Sequence, residues 1–265
     1  MANELDRLLG FYPLSHQWKS PTLFEDTIEI GDFELKLVGL SAEHESGQMV
    51  LGSAAASQGD VLTRAYFELI ERTSIIEAVN AAERPFPLVS EFGVMKTTTT
   101  SQKVFPQSPD PARWKYSLSS GVAAHTDFSL ACRSANWELI ERDRILRSWY
   151  GEIVPCQIPT HPCSLPAEIE SLYDVQWFRF PDGSPNNEVA LVLFLPRGQR
   201  VLRSYGFGAG LTLDAACSKA LSEAMQGMGF LWGEKASADL PDFAPTAEYH
   251  QEVFLREEGV RRLQR

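Results

Sequence analysis

Glu68-Leu69-Ile70-Glu71-Arg72 recurs as Glu138-Leu139-Ile140-Glu141-Arg142, and Glu223-Ala224-Met225-Gln226 repeats the frame a third time. The likeness extends upstream in every copy. Ala65, Ala135 and Ala220 stand three residues before the first Glu, and Val61, Ala131 and Ala216 stand seven before it. Ahead of these lie small-residue stretches, Gly52-Ser53-Ala54-Ala55-Ala56, Gly121-Val122-Ala123-Ala124 and Gly206-Phe207-Gly208-Ala209-Gly210. An internal repeat of this kind constrains the architecture before any single motif does. It predicts three units, each a small-residue loop feeding a helix that presents paired polar groups.

On a helix, positions i and i+3 share a face, so Glu68 with Glu71, Glu138 with Glu141, and Glu223 with Gln226 project together. Ala65, Ala135 and Ala220 are small enough to let such helices pack closely. For one copy the plain reading is an i,i+4 salt bridge on a solvated face, Glu68 to Arg72 or Glu138 to Arg142, worth about 0.2–0.5 kcal/mol. Three copies in one register speak against that reading alone, because solvated faces have no reason to repeat their spacing.

If the three helices converge, they gather five carboxylates, two arginines and an amide. Like charges at such range disfavour ionisation unless a cation joins them. Oxygen-only ligands favour magnesium over zinc or copper, and magnesium usually works with a phosphate-bearing ligand. Arg72 and Arg142 suit that phosphate through forked hydrogen bonds. The residues by themselves suggest a magnesium-nucleotide site.

Ser120-Gly121-Val122-Ala123-Ala124, running through Ala131 to Glu138-Leu139-Ile140-Glu141-Arg142-Asp143, resembles the YcaO domain family, whose members use ATP to activate backbone amides of peptides. The first copy resembles that family's earlier helix with two acids and an arginine, and the third its later Gly-rich turn and helix ending in Glu-Ala-x-Gln. The resemblance implies an α+β fold with three strand, Gly-rich loop and helix repeats and with helices packed on β-sheets. It also implies ATP and Mg as cofactors. Glu68, Glu71, Glu138 and Glu141 become the metal-side carboxylates, Arg142 a phosphate contact, and Glu223 and Gln226 further nucleotide-site residues. Four neighbours depart from the family pattern: Arg64 stands where Ser is expected, Thr126 where Asn is, Leu130 where Glu is, and Met228 where Arg is.

The implied activity is ATP- and Mg-dependent activation of a peptide backbone amide in the maturation of a ribosomally made peptide, giving a thioamide, azoline or amidine. The end of the chain, Val260-Arg261-Arg262-Leu263-Gln264-Arg265, lacks the proline-rich tail of azoline-forming members, which favours the thioamide or amidine type. Two other readings compete. One is a degenerate, non-catalytic YcaO-like subunit that binds a peptide or a catalytic partner; the other is a different magnesium-nucleotide enzyme or a nucleotide sensor. Expected partners are a precursor peptide, a partner protein for leader recognition or sulfur delivery, and further subunits in a homo- or hetero-oligomer.

Composition narrows the setting. With 265 residues, 44% of them hydrophobic, the chain can bury a substantial core. The expected division is a single domain over 1–231 and an extension over 232–265, with a terminal helix from Thr246 to Arg265. A net charge of −11 argues against nucleic acid and anionic membrane, which need a positive footprint. The polar start Met1-Ala2-Asn3-Glu4 and the lack of a long apolar run lead to the expectation of a cytoplasmic protein. Cys132 and Cys217 fall on the repeat helices as small apolar residues. Cys156 and Cys163 bracket a loop whose spacing matches no zinc pattern. His125 reads as a loop residue rather than a catalytic base.

Alternating apolar positions predict a hairpin of Thr27–Ile30 with Phe33–Leu37 around Gly31-Asp32, and further strands over 175–180, 189–195 and 201–205. The stretch from Lys96-Thr97-Thr98-Thr99-Thr100 through Pro111 reads as a polar, proline-rich connector over about 96–112.

Overall fold

A computed structural model describes residues 2–81, 85–90, 94–105, 119–160, 162–181, 186–198 and 201–234. In chain order the elements are α1 (Ala2–Phe11), β1 (Thr22–Ile30), β2 (Phe33–Glu43), β3 (Met49–Ala56), α2 (Val61–Asn80), β4 (Pro85–Val89), β5 (Met95–Thr100), α3 (Ser101–Val104) and α4 (Phe128–Trp149). There follow β6 (Cys156–Ile158), α5 (Ala167–Leu172), β7 (Tyr173–Arg179), β8 (Glu188–Pro196), β9 (Ser204–Gly210) and α6 (Leu213–Phe230). The fold is α+β, as the resemblance implies. The strands form three sheets, ordered β1-β2-β3, β4-β5 and β6-β7-β8-β9. The chain divides into two compact units, one of Met1–Asp26, Lys36–Ala54 and Gln58–Asp143, the other of Thr27–Leu35, Ala55–Ser57 and Arg144–Arg265.

The hairpin around Gly31-Asp32 forms, and Gly31 takes the left-handed conformation (φ 59°) that the turn requires. In the first unit, α2 starts where Asp60 caps it by accepting the Thr63 amide at 2.9 Å. Val61, Leu62, Ala65, Tyr66 and Leu69 form its buried face. The segment after α1 is pinned to this helix: Ser15 Oγ and Trp18 Nε1 both donate to Glu77 Oε1 at 2.7 Å.

In the second unit, β7, β8 and β9 run antiparallel and α6 lies on β8 and β9. Thr212 caps α6 by accepting from the Ala215 amide at 3.2 Å. Trp177, Tyr173, Phe194, Val189 and Ile169 are fully buried, together with the small helix residues Ala216, Cys217, Ala220 and Ala224.

Two expectations are corrected. The first and third small-residue stretches are strands rather than loops: Gly52–Ala56 lies within β3 and Gly206–Gly210 within β9. The glycines are there for proximity. A Cβ at Gly52 would overlap the Ala65 carbonyl oxygen and the Leu69 amide, and one at Gly206 would overlap the Ala220 carbonyl oxygen and the Ala224 amide. The Ala65 and Ala220 of the repeat are therefore the helix residues on which these glycines rest, both with 0% exposure. Only the second stretch, Gly121–Ala124, is a turn and loop among the described residues.

The connector is the second correction. Its threonines form β5, paired with β4 in the register Pro85↔Thr100, Phe86↔Thr99, Pro87↔Thr98 and Leu88↔Thr97. β-Branched residues favour extended backbone once a partner strand is at hand, and that preference prevails over the polarity that suggests coil. Residues 106–112 of the connector and the terminal helix expected from Thr246 lie outside the described residues.

Gly206→Ala is expected to lower stability by at least about 1–3 kcal/mol, the usual cost of overpacking, because strand and helix must separate. Gly198→Ala, where no atom lies within 4 Å of the added Cβ, should leave it within about 0.5 kcal/mol. Urea unfolding midpoints of the two variants check the difference.

Candidate functional site

The first glutamate of each repeat helix accepts a backbone amide from the small-residue stretch before it. Glu68 Oε2 accepts the Ser53 N–H at 2.7 Å, Glu138 Oε2 accepts the Gly121 N–H at 3.2 Å, and Glu223 Oε2 accepts the Phe207 N–H at 2.9 Å. In the first two copies the other carboxylate oxygen turns to the arginine one helical turn on. Arg72 donates to Glu68 Oε1, and Arg142 Nη2 lies 3.8 Å from Glu138 Oε1. The i,i+4 pairs of the plain structural reading thus exist, built onto a backbone contact that the reading does not require.

The second glutamate of α2 reaches further. Glu71 Oε1 accepts the Ala124 N–H at 2.8 Å, so the first repeat helix holds the small-residue loop of the second repeat. Burial pushes the Glu71 carboxyl up to about 7, and the charges of Glu68 and Glu138 push the same way against the Ala124 amide and Arg72. Glu68, Glu71 and Glu138 therefore occupy one electrostatic neighbourhood in the first unit. Glu141, on α4, is only 4% exposed. Asp127 caps α4 by accepting the Leu130 amide at 2.9 Å. His125 is a loop residue: its Nδ1 accepts the Asp127 N–H at 3.1 Å and its ring stacks on Phe67 at 6.3 Å.

Of the residues singled out in the sequence, Glu68, Glu71, Arg72 and Glu138 come together in the first unit, which also carries Glu141 and Arg142. Glu223 and Gln226 stand on α6 in the second. Arg64 is exposed on α2, whereas Met228 is 1% exposed and belongs to the core of its unit. Cys217 is fully buried among the small residues of α6, as its apolar reading expects.

The amides of Ser53, Gly121, Ala124 and Phe207 escape a side-chain reading of the sequence. Their signal is the nearly constant interval from Gly52 to Glu68, Gly121 to Glu138 and Gly206 to Glu223.

The donor chemistry, carboxylate oxygens with forked guanidinium groups beside them, suits a magnesium ion with a phosphate ligand. Among the described residues, no three His, Cys, Asp or Glu side chains are drawn together tightly enough to hold an ion. The carboxylates instead face amides and arginines.

The model of the YcaO family, described as ATP- and Mg2+-binding cyclodehydratases, matches residues 100–264, more than half of the chain. The chain belongs to the YcaO family. The match takes in the second and third repeats; the first lies ahead of it. Comparison with curated protein sequences finds none that matches.

Among solved structures, the fold is similar to that of YcaO from Methanopyrus kandleri, bound with AMPPCP and Mg2+. The TM-score is 0.59 at 15% identity, covering 95% of this chain and 73% of that one. It is also similar to the Escherichia coli microcin synthetase McbBCD complex with pro-MccB17 bound (TM-score 0.54, 14% identity, 77% and 63% covered). A heterocyclase in complex with substrate and cofactor gives a TM-score of 0.56 at 15% identity, with 95% of this chain and 44% of the heterocyclase covered. No helix among the described residues is long and apolar enough to cross a membrane.

The raised Glu71 pKa has a defined sign. The fold favours the protonated carboxyl, so the cost of ionising it is absent below about 4.5 and grows as the pH rises through about 7. Glu71→Gln is expected to stabilise the ligand-free protein relative to wild type at pH 8 and to do so much less at pH 4.5. Urea unfolding of both proteins at the two pH values measures that difference.

Proposed function

We propose that this chain binds ATP and Mg2+ and activates a backbone amide of a ribosomally made peptide, with thioamide, azoline or amidine as the class of product. What carries the reading is the neighbourhood of Glu68, Glu71 and Glu138, with Arg72 and Arg142 beside them, in a chain of the YcaO family. In this reading Glu68, Glu71, Glu138 and Glu141 hold the metal. Arg72 and Arg142 take the phosphates, and Glu223 and Gln226 are nucleotide contacts that the family resemblance alone supplies.

Magnesium, when bound, offsets the negative charge that builds on the phosphates during transfer. The protein residues must do the rest. Arg72 and Arg142 turn their forks from Glu68 and Glu138 to the phosphate oxygens, and the freed carboxylates become acceptors for the cation. A cation held beside Glu68 and Glu138 would offset the part of the Glu71 proton affinity that their charges contribute, while the larger part, from burial, would remain. The amide oxygen of the peptide would attack the γ-phosphorus of ATP, forming the new O–P bond as the bond to the β,γ-bridging oxygen breaks and ADP leaves. The resulting O-phosphorylated amide is open to a nucleophile at its carbon, with phosphate as the leaving group.

One observation favours a second reading, a YcaO-like subunit that binds a peptide or a catalytic partner without turnover. Met228, at the position where the family resemblance expects a phosphate-binding arginine, is buried in the core at 1% exposure and offers nothing to a nucleotide. Titration calorimetry decides between them. Magnesium-ATP is expected to bind wild type, and Glu141→Gln, which keeps the shape and removes the charge, should weaken binding by about 1.5–3 kcal/mol. Equal affinity in the two proteins would remove Glu141 from the site, and no binding by wild type would leave the non-catalytic reading.

A further inference from the structure

The outer edges of the three sheets are treated in different ways. On β3 the outward Ser53 amide is taken by Glu68, and on β9 the Phe207 amide is taken by Glu223. Among the described residues the β4-β5 hairpin has no such glutamate, and its two edges are unlike each other. Pro85 and Pro87 have no N–H, so the ladder must run through Phe86 with Thr99 and Leu88 with Thr97, the pairs in which both residues donate and accept. Pro85 and Pro87 then face outward, and the free edge of β4 has no donors at those positions. This is a common way of closing an edge to further strands.

The same alternation turns the N–H and C=O of Thr98 outward on β5, opposite Pro87. Among the described residues β5 pairs with β4 alone, and Thr98 is exposed. Leu88 pairs with Thr97 and Val89 with Met95, which leaves Lys96 as a bulge that limits the open edge to the threonine run. Among the described residues the hairpin has one closed edge and one open edge, and both lie in the unit that carries Glu68, Glu71 and Glu138.

We infer that β5 is a docking edge for an extended segment of the peptide substrate, which adds as a strand along Thr97–Thr100. The inference rests on the reading of this chain as a peptide-amide-activating protein. Strand addition recognises backbone and tolerates varied side chains, and it holds the peptide extended, as an enzyme acting on a backbone amide requires. A second copy of the chain is the less favoured occupant. The edge is short and its side chains are threonines, so it offers little of the apolar area that a stable dimer buries.

The test uses the full chain and a fluorescein-labelled alternating Thr-Val octapeptide as probe, read by anisotropy without nucleotide. Thr98→Pro removes the outward N–H and leaves the hairpin ladder intact, as Pro87 does on the opposite strand. It is expected to weaken probe binding at least about tenfold. Thr98→Val keeps the N–H and should bind like wild type. A probe N-methylated at alternate residues, which cannot add as a strand, should bind wild type as poorly as the plain probe binds Thr98→Pro.

Equal affinity of the plain probe for wild type and Thr98→Pro overturns the inference, as does no saturable binding to wild type up to about 1 mM. A wild type that is dimeric by light scattering and becomes monomeric on Thr98→Pro overturns it in favour of a second copy. Because the probe is read without nucleotide, a failure of wild type to bind magnesium-ATP sinks the nucleotide assignment and is a separate result.

Discussion

A carboxylate that accepts an amide of the small-residue stretch before it is the contact on which each repeat depends. An edge strand exposes alternate N–H groups, and leaving one unpaired beside a packed helix is costly. Glycine removes the Cβ, so the helix backbone can lie directly on strand β3 at Gly52 and on β9 at Gly206. At that distance a glutamate on the helix reaches the next outward amide, and a charge-assisted hydrogen bond fixes both partners. The first glutamate, the alanine before it and the glycine of the strand thus answer one geometric demand. None of them can be exchanged freely without disturbing the other two.

The contact orders the chemistry as well. With Glu68 committed to the Ser53 amide and to Arg72, the acid one turn further on, Glu71, is delivered to the Ala124 amide and to the charges of Glu68 and Glu138. Burial and two neighbouring anions outweigh one amide and one guanidinium, so the Glu71 carboxyl stays hard to ionise. In the proposed function the arginines pass from carboxylate to phosphate as the carboxylates pass from arginine to metal, so that no group is left without a partner at either stage.

The repeat was legible because its period is set by this contact, and so were the acids on the shared faces of α2 and α4 and the strands near 175 and 189. The strand expected over 201–205 instead starts at Ser204 and runs on to Gly210. The sequence pointed wrongly where one residue type serves two purposes. Gly52 and Gly206 carry the signal of a loop, but their glycines serve close approach inside strands. Thr97 to Thr100 carry the signal of a solvated connector, but β-branching and the partner strand Pro85–Val89 make them extended. The backbone amides that the glutamates grip leave no mark on side-chain identity, only on the interval from glycine to glutamate. Burial of Met228 was illegible for a similar reason, since one methionine in a repeat frame does not reveal which way its position faces.

The third helix shows how packing limits the repeat. In α2 and α4 the residue four after the first glutamate is an arginine; in α6 it is Gly227. A Cβ at Gly227 would meet Ser204 Oγ at 2.7 Å, and that hydroxyl donates to the Ala224 carbonyl at 2.7 Å. The position is therefore pressed against β9, and an arginine there would force the helix off its strand. Met228 beside it is enclosed, so an arginine at that position would be buried without a partner, a cost far above that of the apolar side chain present. Glu223 keeps the amide contact of its counterparts, and the position four residues on holds Gly227 in place of their arginine. The arginines of the repeat accordingly fall to α2 and α4, where Arg72 and Arg142 are about half exposed and a long charged side chain has room.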